Sequence, residues 1–347
     1  MKIEELDKNL KVDKKIDKSG LAFYNALDTP FKIYGVHYEN GKFRRMPESV
    51  AKTVSEGVTR LHTNCAGGRV RFRTDSGRVA IVADMGEIEK MPHFALTGSA
   101  GFDMYIENNY ERTFIPPYNM ENGYESVVSL QNNQMNDITI NFPRGCEVSA
   151  LYIGLDETAK LEAPTPYIDK KPIVYYGSSI TQGGCASRPG NCYQAYISRR
   201  FNCDYINLGF SGNCRAETPI IDYIKKLDMS IFVYDYDYNT PDSEYLKNTH
   251  EKSFKAIRRE NPTLPIIIMP APVYCPRGDM KERRDIVEAT YRNAVAAGDK
   301  NVYFINGDKL MELCENNGTV DNIHPNDFGF ASMAKAVGDV IEQYKLI

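Results

Sequence analysis

The sequence predicts an α/β protein in two parts. An antiparallel β-sandwich of jelly-roll type is expected over residues 1–165, and a three-layer α/β/α domain with a parallel five-stranded sheet over 170–347. Three observations predict it. In the first half, short alternations of apolar and polar residues dominate, and a period of two puts the apolar set on one face of a strand. In the second half, strand-length runs are apolar throughout and alternate with amphipathic stretches, the pattern of a sheet covered by helices on both faces. Between them, Pro164, Pro166 and Pro172 flank a short polar stretch suited to a linker. The 347 residues also exceed what one hydrophobic core usually serves.

Taken in order, Arg69–Arg73 and Asp137–Phe142 alternate most cleanly. Further strands are expected at Phe31–Val36, Val58–His62, Arg78–Ala83, Phe102–Glu107, Tyr110–Ile115 and Val148–Gly154. Turn signals such as Asn40-Gly41, Asp75-Ser76-Gly77 and Asn122-Gly123 separate them. Many short strands with almost no helical pattern imply a sandwich. Beyond the linker the apolar runs are Ile173–Tyr176, Tyr205–Leu208, Ile231–Tyr234, Ile266–Met269 and Val302–Ile305. Helices are expected near Tyr193–Arg200, Pro219–Leu227, Ser243–Glu260, Met280–Ala297 and Asn326–Tyr344.

Composition excludes several classes. Lys and Arg number 42 against 46 Asp and Glu, a formal net charge of −4, whereas a nucleic-acid binder needs a basic face. The longest apolar candidate for a membrane span, Asn261–Pro276, is broken by five prolines. The N-terminal residues mix acids and bases around no apolar core, so no secretory signal is read there. The eight cysteines include no C-x-x-C pair, and all are expected as reduced thiols of a cytoplasmic protein. Cys185, Cys192, Cys203 and Cys214 lie close in sequence, but no His falls among them and their spacings are long for zinc. No metal is expected.

In a parallel sheet, ligands bind beyond the carboxyl ends of the strands. The segments there are Gly177–Gly184, Gly209–Asn213 and Asp235–Asn239, with Asp321-Asn322-Ile323-His324-Pro325 before the last helix. They bring a hydroxyl, an amide, an imidazole, a carboxylate and two glycine-rich turns to one rim, the parts of a serine esterase. A serine hydroxyl needs an imidazole to take its proton as it attacks. The imidazole needs an acceptor on its other nitrogen, which an Asp three residues earlier on the same loop can supply. The oxyanion of the tetrahedral intermediate needs donors already aimed at it.

The blocks GSSITQGG, NLGFSGN, DYDYN and DNIHP resemble, in order, the four signature blocks of the SGNH (GDSL-type) hydrolase superfamily. Upstream, TNCAGGRVRFRTDS and the segment Gly101–Tyr105 resemble the N-terminal sandwich region of SGNH esterases that carry a GxDLY motif. The resemblance implies a flavodoxin-like catalytic domain. It puts the nucleophile on Ser179, the acid on Asp321 and the base on His324. It puts the oxyanion hole on the Ser179 amide, Gly212 and Asn239, and implies no cofactor. The sequence departs from the pattern at Ser178, where the family has Asp, and at Asp237, where it has Gly; Asp237 is expected to hold the Asn239 amide in place.

Other readings stand beside these. Gly183-Gly184 could cradle a phosphate, but no Gly-Lys-Ser/Thr follows. His37, His62 and His93 are read as structural or surface residues, and His250, in a charged helix, as solvated. Tyr236, Tyr238 and Tyr274 follow strands near the rim, where tyrosines more often pack than touch substrate. The resemblance implies hydrolysis of a small acyl ester, acetyl foremost, on a small-molecule or oligosaccharide substrate. A longer-acyl esterase, lysophospholipase or thioesterase is the alternative, and an inactive glycan-binding protein a third. Regiochemistry and oligomeric state stay open.

Overall fold

The computed structural model describes residue 12 and residues 15–88, 90–131, 134–168 and 171–347. Residues 1–11, where no secretory signal was expected, and 169–170 of the expected linker lie outside the described residues.

The first half builds two antiparallel sheets and a two-stranded ribbon from β1 (Leu21–Asn25), β2 (Lys32–Tyr34), β3 (His37–Glu39), β4 (Lys42–Arg44), β5 (Arg69–Thr74), β6 (Arg78–Met85), β7 (Phe102–Ile106), β8 (Asn109–Phe114), β9 (Gly123–Ser129), β10 (Asn136–Asn141), β11 (Val148–Asp156) and β12 (Leu161–Glu162). One sheet has the order β1-β11-β6-β9. The other runs β12-β5-β10-β7-β8 with β2 against β5, and β3-β4 is a separate ribbon. Alternate residues Val79, Ile81 and Ala83 of β6 meet Phe72, Phe102, Ile138 and Ile140 of the facing sheet in one core. The two-residue alternation therefore does what it implied: it buries one face of each sheet against the other.

The expected strand at Val58–His62 is overturned. That stretch lies in helix α2 (Glu56–Leu61), which follows α1 (Glu48–Val54). Ser55 caps α2 by accepting the Val58 N–H. Ala51, Val58 and Leu61 pack with Ile220 and Ile221 of the second half, not with the sandwich. In α2 the helical spacing of three puts Val58 and Leu61 on one side, where a strand would put them on opposite faces.

The second half carries a five-stranded parallel sheet in the order β14-β13-β15-β16-β17, from β13 (Ile173–Gly177), β14 (Tyr205–Gly209), β15 (Ile231–Asp235), β16 (Ile266–Ile268) and β17 (Val302–Phe304). After the short α3 (Leu96–Ser99) of the first half come α4 (Ser179–Gln182), α5 (Tyr193–Phe201), α6 (Thr218–Ile224), α7 (Ser243–Glu260), α8 (Asp279–Ala296), α9 (Gly307–Leu310) and α10 (Asp327–Tyr344). Along β13, Val174 and Tyr176 enter a core with α6, α7 and α8, while Ile173 and Tyr175 enter a second with α5 and α10. Both faces are thus covered, which is why each strand is apolar throughout. No helix among the described residues is long and apolar enough to cross a membrane.

β14 is an edge strand, and the sandwich half covers it. Arg45 donates to the carbonyls of Gly209 at 2.5 Å and Asn207 at 3.3 Å, and Arg69 to that of Tyr205 at 3.4 Å. Arg69 also pairs with Asp204. The two buried guanidiniums satisfy alternate carbonyls that an open edge would leave unpaired. All eight cysteines are free, seven of them buried and Cys275 exposed.

Candidate active site

Ser179 opens α4 directly after β13, at the carboxyl end of the sheet. Ser178, extended at the cap position, accepts the Ile180 N–H at 3.2 Å. That satisfies one orphan donor of the helix start. Gly209, at the end of β14, lets α4 sit on the strand ends: a Cβ there would lie 2.2 Å from the Gln182 nitrogen. Ser179 is 7% exposed, and its Oγ lies 2.9 Å from Nε2 of His324.

The imidazole comes from the loop before α10. Asn326 caps that helix by accepting the Phe328 and Gly329 N–H groups, each at 3.0 Å. Asn322 takes a left-handed φ of 67°, a conformation asparagine tolerates better than most residues. The resulting turn folds Asp321 back onto His324, with Asp321 Oδ2 2.7 Å from His324 Nδ1. Asp321 Oδ1 accepts the backbone N–H groups of Ile323 at 3.1 Å and His324 at 2.8 Å. Burial acts to raise the Asp321 pKa, but the hydrogen bonds from His324 and Ile323 overcome it and hold the carboxyl at about 2. An ionised carboxylate, an imidazole and a hydroxyl are therefore joined in one hydrogen-bonded row.

The Ser179 and Gly212 amides donate to no protein acceptor among the described residues. Gly212 sits in an open turn at φ 71°, whose neighbour Ser211 is held by its N–H to Gln182 Oε1 at 2.9 Å. Asn239 Oδ1 accepts the Cys214 N–H at 3.2 Å. This ties the Gly212 turn to the loop after β15.

Asp237 does not hold Asn239, contrary to expectation. It is buried and accepts the Ala271 N–H at 2.9 Å and Arg283 Nη1 at 3.3 Å, while Arg283 also donates to the Thr240 carbonyl at 2.9 Å. A carboxylate where the family has glycine thus fastens the whole loop to the end of β16 and to α8.

His93, read as a structural or surface residue, is part-exposed and stands beside His324. Its ring centroid lies 5.6 Å from that of His324, and the Phe94 ring 5.9 Å away. Both belong to the segment between β6 and α3, so their meeting with His324 is a tertiary event with no local signal. The Arg144 guanidinium stacks 4.6 Å over Phe94. Here the halves form a cleft of about 720 Å³ lined by Arg60, Asn64, Phe94, Arg144, Gln182 and Ser211, among others. A second hollow of about 550 Å³ lies beside Tyr238, Tyr274, Asn322 and Ile323. Tyr236 is core: it is fully buried, with its hydroxyl on Thr249 and the Arg215 carbonyl.

His250 is likewise not solvated. It is fully buried, stacked on Tyr236 and bonded through Nδ1 to Thr290 at 2.8 Å, and burial lowers its pKa to about 3.

The Gly101–Tyr105 segment reaches the site indirectly. Asp103, fully buried on β7, accepts from Asn141 at 2.8 Å, from the Gly190 N–H at 2.8 Å and from Arg188 at 3.2 Å. Ser187, at the other end of that loop, is fixed by its N–H to Asp327 at 2.8 Å. The loop after α4 is thereby clamped between sandwich and α10.

The four neighbouring cysteines do not assemble. Cys192 and Cys203 lie in the core on one face of the parallel sheet and Cys214 in the core on the other. One group of metal-ligating side chains does occur among the described residues: His93, Cys185 and His324, with ligand atoms within 4.8 Å of one another.

A three-layer α/β/α sheet with this rim of groups defines the class of the protein, a carboxylic ester hydrolase. The chain belongs to the SGNH (GDSL-type) hydrolases. Residues 170–342 match the GDSL-like lipase/acylhydrolase family, and residues 21–161 match the N-terminus of SGNH-hydrolase-type esterases, named for the GxDLY motif. No protein of curated function matches the chain in sequence. Among solved structures, the chain is similar to a GDSL-like lipase candidate from Bacteroides ovatus ATCC 8483, at TM-score 0.83 and 26% identity, over 93% of this chain and 97% of that one. A salicylyl-acyltransferase, SsfX3, from a tetracycline biosynthetic pathway shares the fold at TM-score 0.75 and 19% identity, over 95% and 99%. So does the acetyl xylan esterase Est2A from the rumen bacterium Butyrivibrio proteoclasticus, at 0.60 and 11%, over 94% and 99%.

Proposed function

We propose that the chain is a serine esterase that removes small acyl groups, acetyl foremost, from O-acetylated carbohydrates, with Ser179 as nucleophile, His324 as base and Asp321 as its acid partner. The observation that carries this reading is the unbroken row from Ser179 Oγ through His324 to Asp321, at 2.9 Å and 2.7 Å. His324 Nε2 takes the hydroxyl proton as Oγ attacks the ester carbonyl, and Asp321 stabilises the imidazolium. The Ser179 and Gly212 amides and the Asn239 amide group, with donors to spare, receive the oxyanion. The imidazolium then protonates the leaving alcohol. Water, deprotonated by the same nitrogen, releases the acid from the acyl-enzyme.

The sugar part of the reading is supported by the cleft between the halves, whose walls include Arg60, Thr63, Asn64, Glu87, Arg144 and Gln182. Leu61, Ile88, Met91 and Phe94 stand among them, so the walls offer polar groups to sugar hydroxyls and apolar faces to the ring. The same fold carries an acetyl xylan esterase.

A p-nitrophenyl ester series with purified protein tests it. kcat/KM should fall from acetate to butyrate to octanoate, and acetylated oligosaccharides should lose acetate. A pocket that admitted long chains would instead gain about 0.8 kcal/mol per CH₂ buried, so a rate rising with chain length overturns the acetyl reading. Ser179→Ala and His324→Ala should each lose roughly 10³-fold or more of kcat, and the double variant hardly more, because the groups act as a unit. Near wild-type turnover in Ser179→Ala removes the nucleophile.

A further inference from the structure

His93, Cys185 and His324 come from three separate places: the segment before α3, the turn after α4 and the loop before α10. Their ligand atoms nonetheless lie within 4.8 Å of one another. Two imidazoles and a thiol are a donor set for a borderline-soft divalent ion such as Zn²⁺. Zinc bonds of about 2.0–2.3 Å require ligand atoms roughly 3.3–3.8 Å apart in a tetrahedron, so closing this group takes a movement on the order of 1 Å. His93 stands in a stretch without regular structure and is part-exposed, so it has room to make that movement.

The second observation is the state of His324. Its Nδ1 is already occupied by Asp321 at 2.7 Å, which leaves Nε2 facing outward to Ser179 at 2.9 Å. A carboxylate on the far nitrogen is the arrangement that orients a zinc-bound histidine and raises its basicity. The dyad that prepares His324 to take a proton therefore prepares it equally to take a metal ion.

We propose that His93, Cys185 and His324 form an inhibitory site for Zn²⁺, in which the ion occupies Nε2 of His324 and so withdraws it from Ser179. This rests on the reading of His324 as the base. Three bonds form, from the ion to His93, to the Cys185 sulfur and to His324 Nε2, with water in the fourth position. The thiol proton passes to solvent and the hydrogen bond from Ser179 to Nε2 is lost. No electron is transferred. The metal here is an off-switch and not a cofactor, and because His93 belongs to the sandwich half, the bound ion would also pin the two halves together across the cleft.

The test uses the whole chain with ZnCl₂ and CoCl₂ as probes. Zn²⁺ at micromolar concentration should suppress hydrolysis of p-nitrophenyl acetate, and a chelator should restore it. Measured against each variant's own metal-free rate, His93→Gln and Cys185→Ser should each raise the half-inhibiting concentration by at least about 10-fold. Binding is read separately in Ser179→Ala, where turnover plays no part. Co²⁺ should give a thiolate-to-cobalt charge-transfer band at one ion per chain, lost in Cys185→Ser and kept in Cys275→Ser. Zn²⁺ should also raise the melting temperature of Ser179→Ala. Unchanged inhibition in both ligand variants overturns the site, as does a band that disappears with Cys275 instead. If the metal fails to bind while Ser179→Ala is inactive, the inference falls and the esterase reading stands. If the cobalt band forms with one ion and turnover is untouched, the inhibitory site falls together with the role of His324 as base.

Discussion

Asn239 is where residue-level chemistry can be separated from residue-level architecture. Its Oδ1 is committed to the Cys214 N–H, so only its amide hydrogens remain for a developing oxyanion. Asn239→Ala should therefore lower kcat on the order of 10²-fold and leave KM nearly unchanged, since the donor acts in the transition state. Steady-state kinetics on p-nitrophenyl acetate check this, and a change confined to KM would remove Asn239 from the oxyanion hole. Ser179, Asp321 and His324 were legible in the sequence because each lies in a short block with its own local logic: a strand end, a tight turn, a helix cap. His93 was not, because a lone histidine before an irregular segment has no partner within reach along the chain. Asp237 was half legible. Its acid stood out against the family's glycine, but Arg283 and Ala271, which it binds, are dozens of residues away.

At the scale of elements, β15 and α7 place two titratable groups deep in the same half. Asp235 ends β15, fully buried under α4, and accepts from Thr181 at 2.6 Å; burial pushes its pKa up to about 7. Between the ordinary value of 3.8 and about 7, the native state holds a proton that the unfolded chain has lost, so this group makes stability fall as pH rises. His250 on α7 does the reverse. With its pKa lowered from 6.5 to about 3, the unfolded chain binds the extra proton in that window, so stability rises with pH up to about 6.5 and is lost in acid. Relative to wild type, Asp235→Asn should gain in urea midpoint as pH goes from 4 to 7, and His250→Gln should lose in midpoint from pH 3 to 6.5. Parallel shifts in both variants would show that other groups dominate the titration. His250 is also instructive for reading sequences. Its helix is charged overall, yet Leu246, His250, Ser253 and Ile257 form one inward stripe at helical spacing. The five parallel strands and their long helices were legible because burial on both faces leaves an apolar run that nothing else explains. The helices at 48–61 were missed for the opposite reason. They are short, their apolar residues are few, and Ala51, Val58 and Leu61 answer to a core in the other half of the chain.

For the whole molecule, the joint between the halves matters as much as either core. Arg45 and Arg69 close the edge of β14 from outside its own half. Removing Arg69 strands Asp204 and the Tyr205 carbonyl at a buried seam. Arg69→Ala should cost about 3–5 kcal/mol, read as a lower denaturant midpoint. Residues 170–347 produced without the first half should associate through β14 and sediment as aggregates, and a monodisperse, soluble catalytic half would refute that. The change of pattern near the prolines was visible in the sequence. The seam itself was not, because an arginine in an alternating strand looks solvent-facing until its partner strand is known.

The edge cover also has a direction in time. A ribosome delivers this chain from its first residue, and domains generally fold as they emerge, N-terminal first. Arg45 and Arg69 both lie more than a hundred residues ahead of Tyr205, so a sandwich that folds first carries Arg69 on β5 before β14 leaves the exit tunnel. On that order the newborn strand, the adhesive edge of the unfinished sheet, meets a partner made before it.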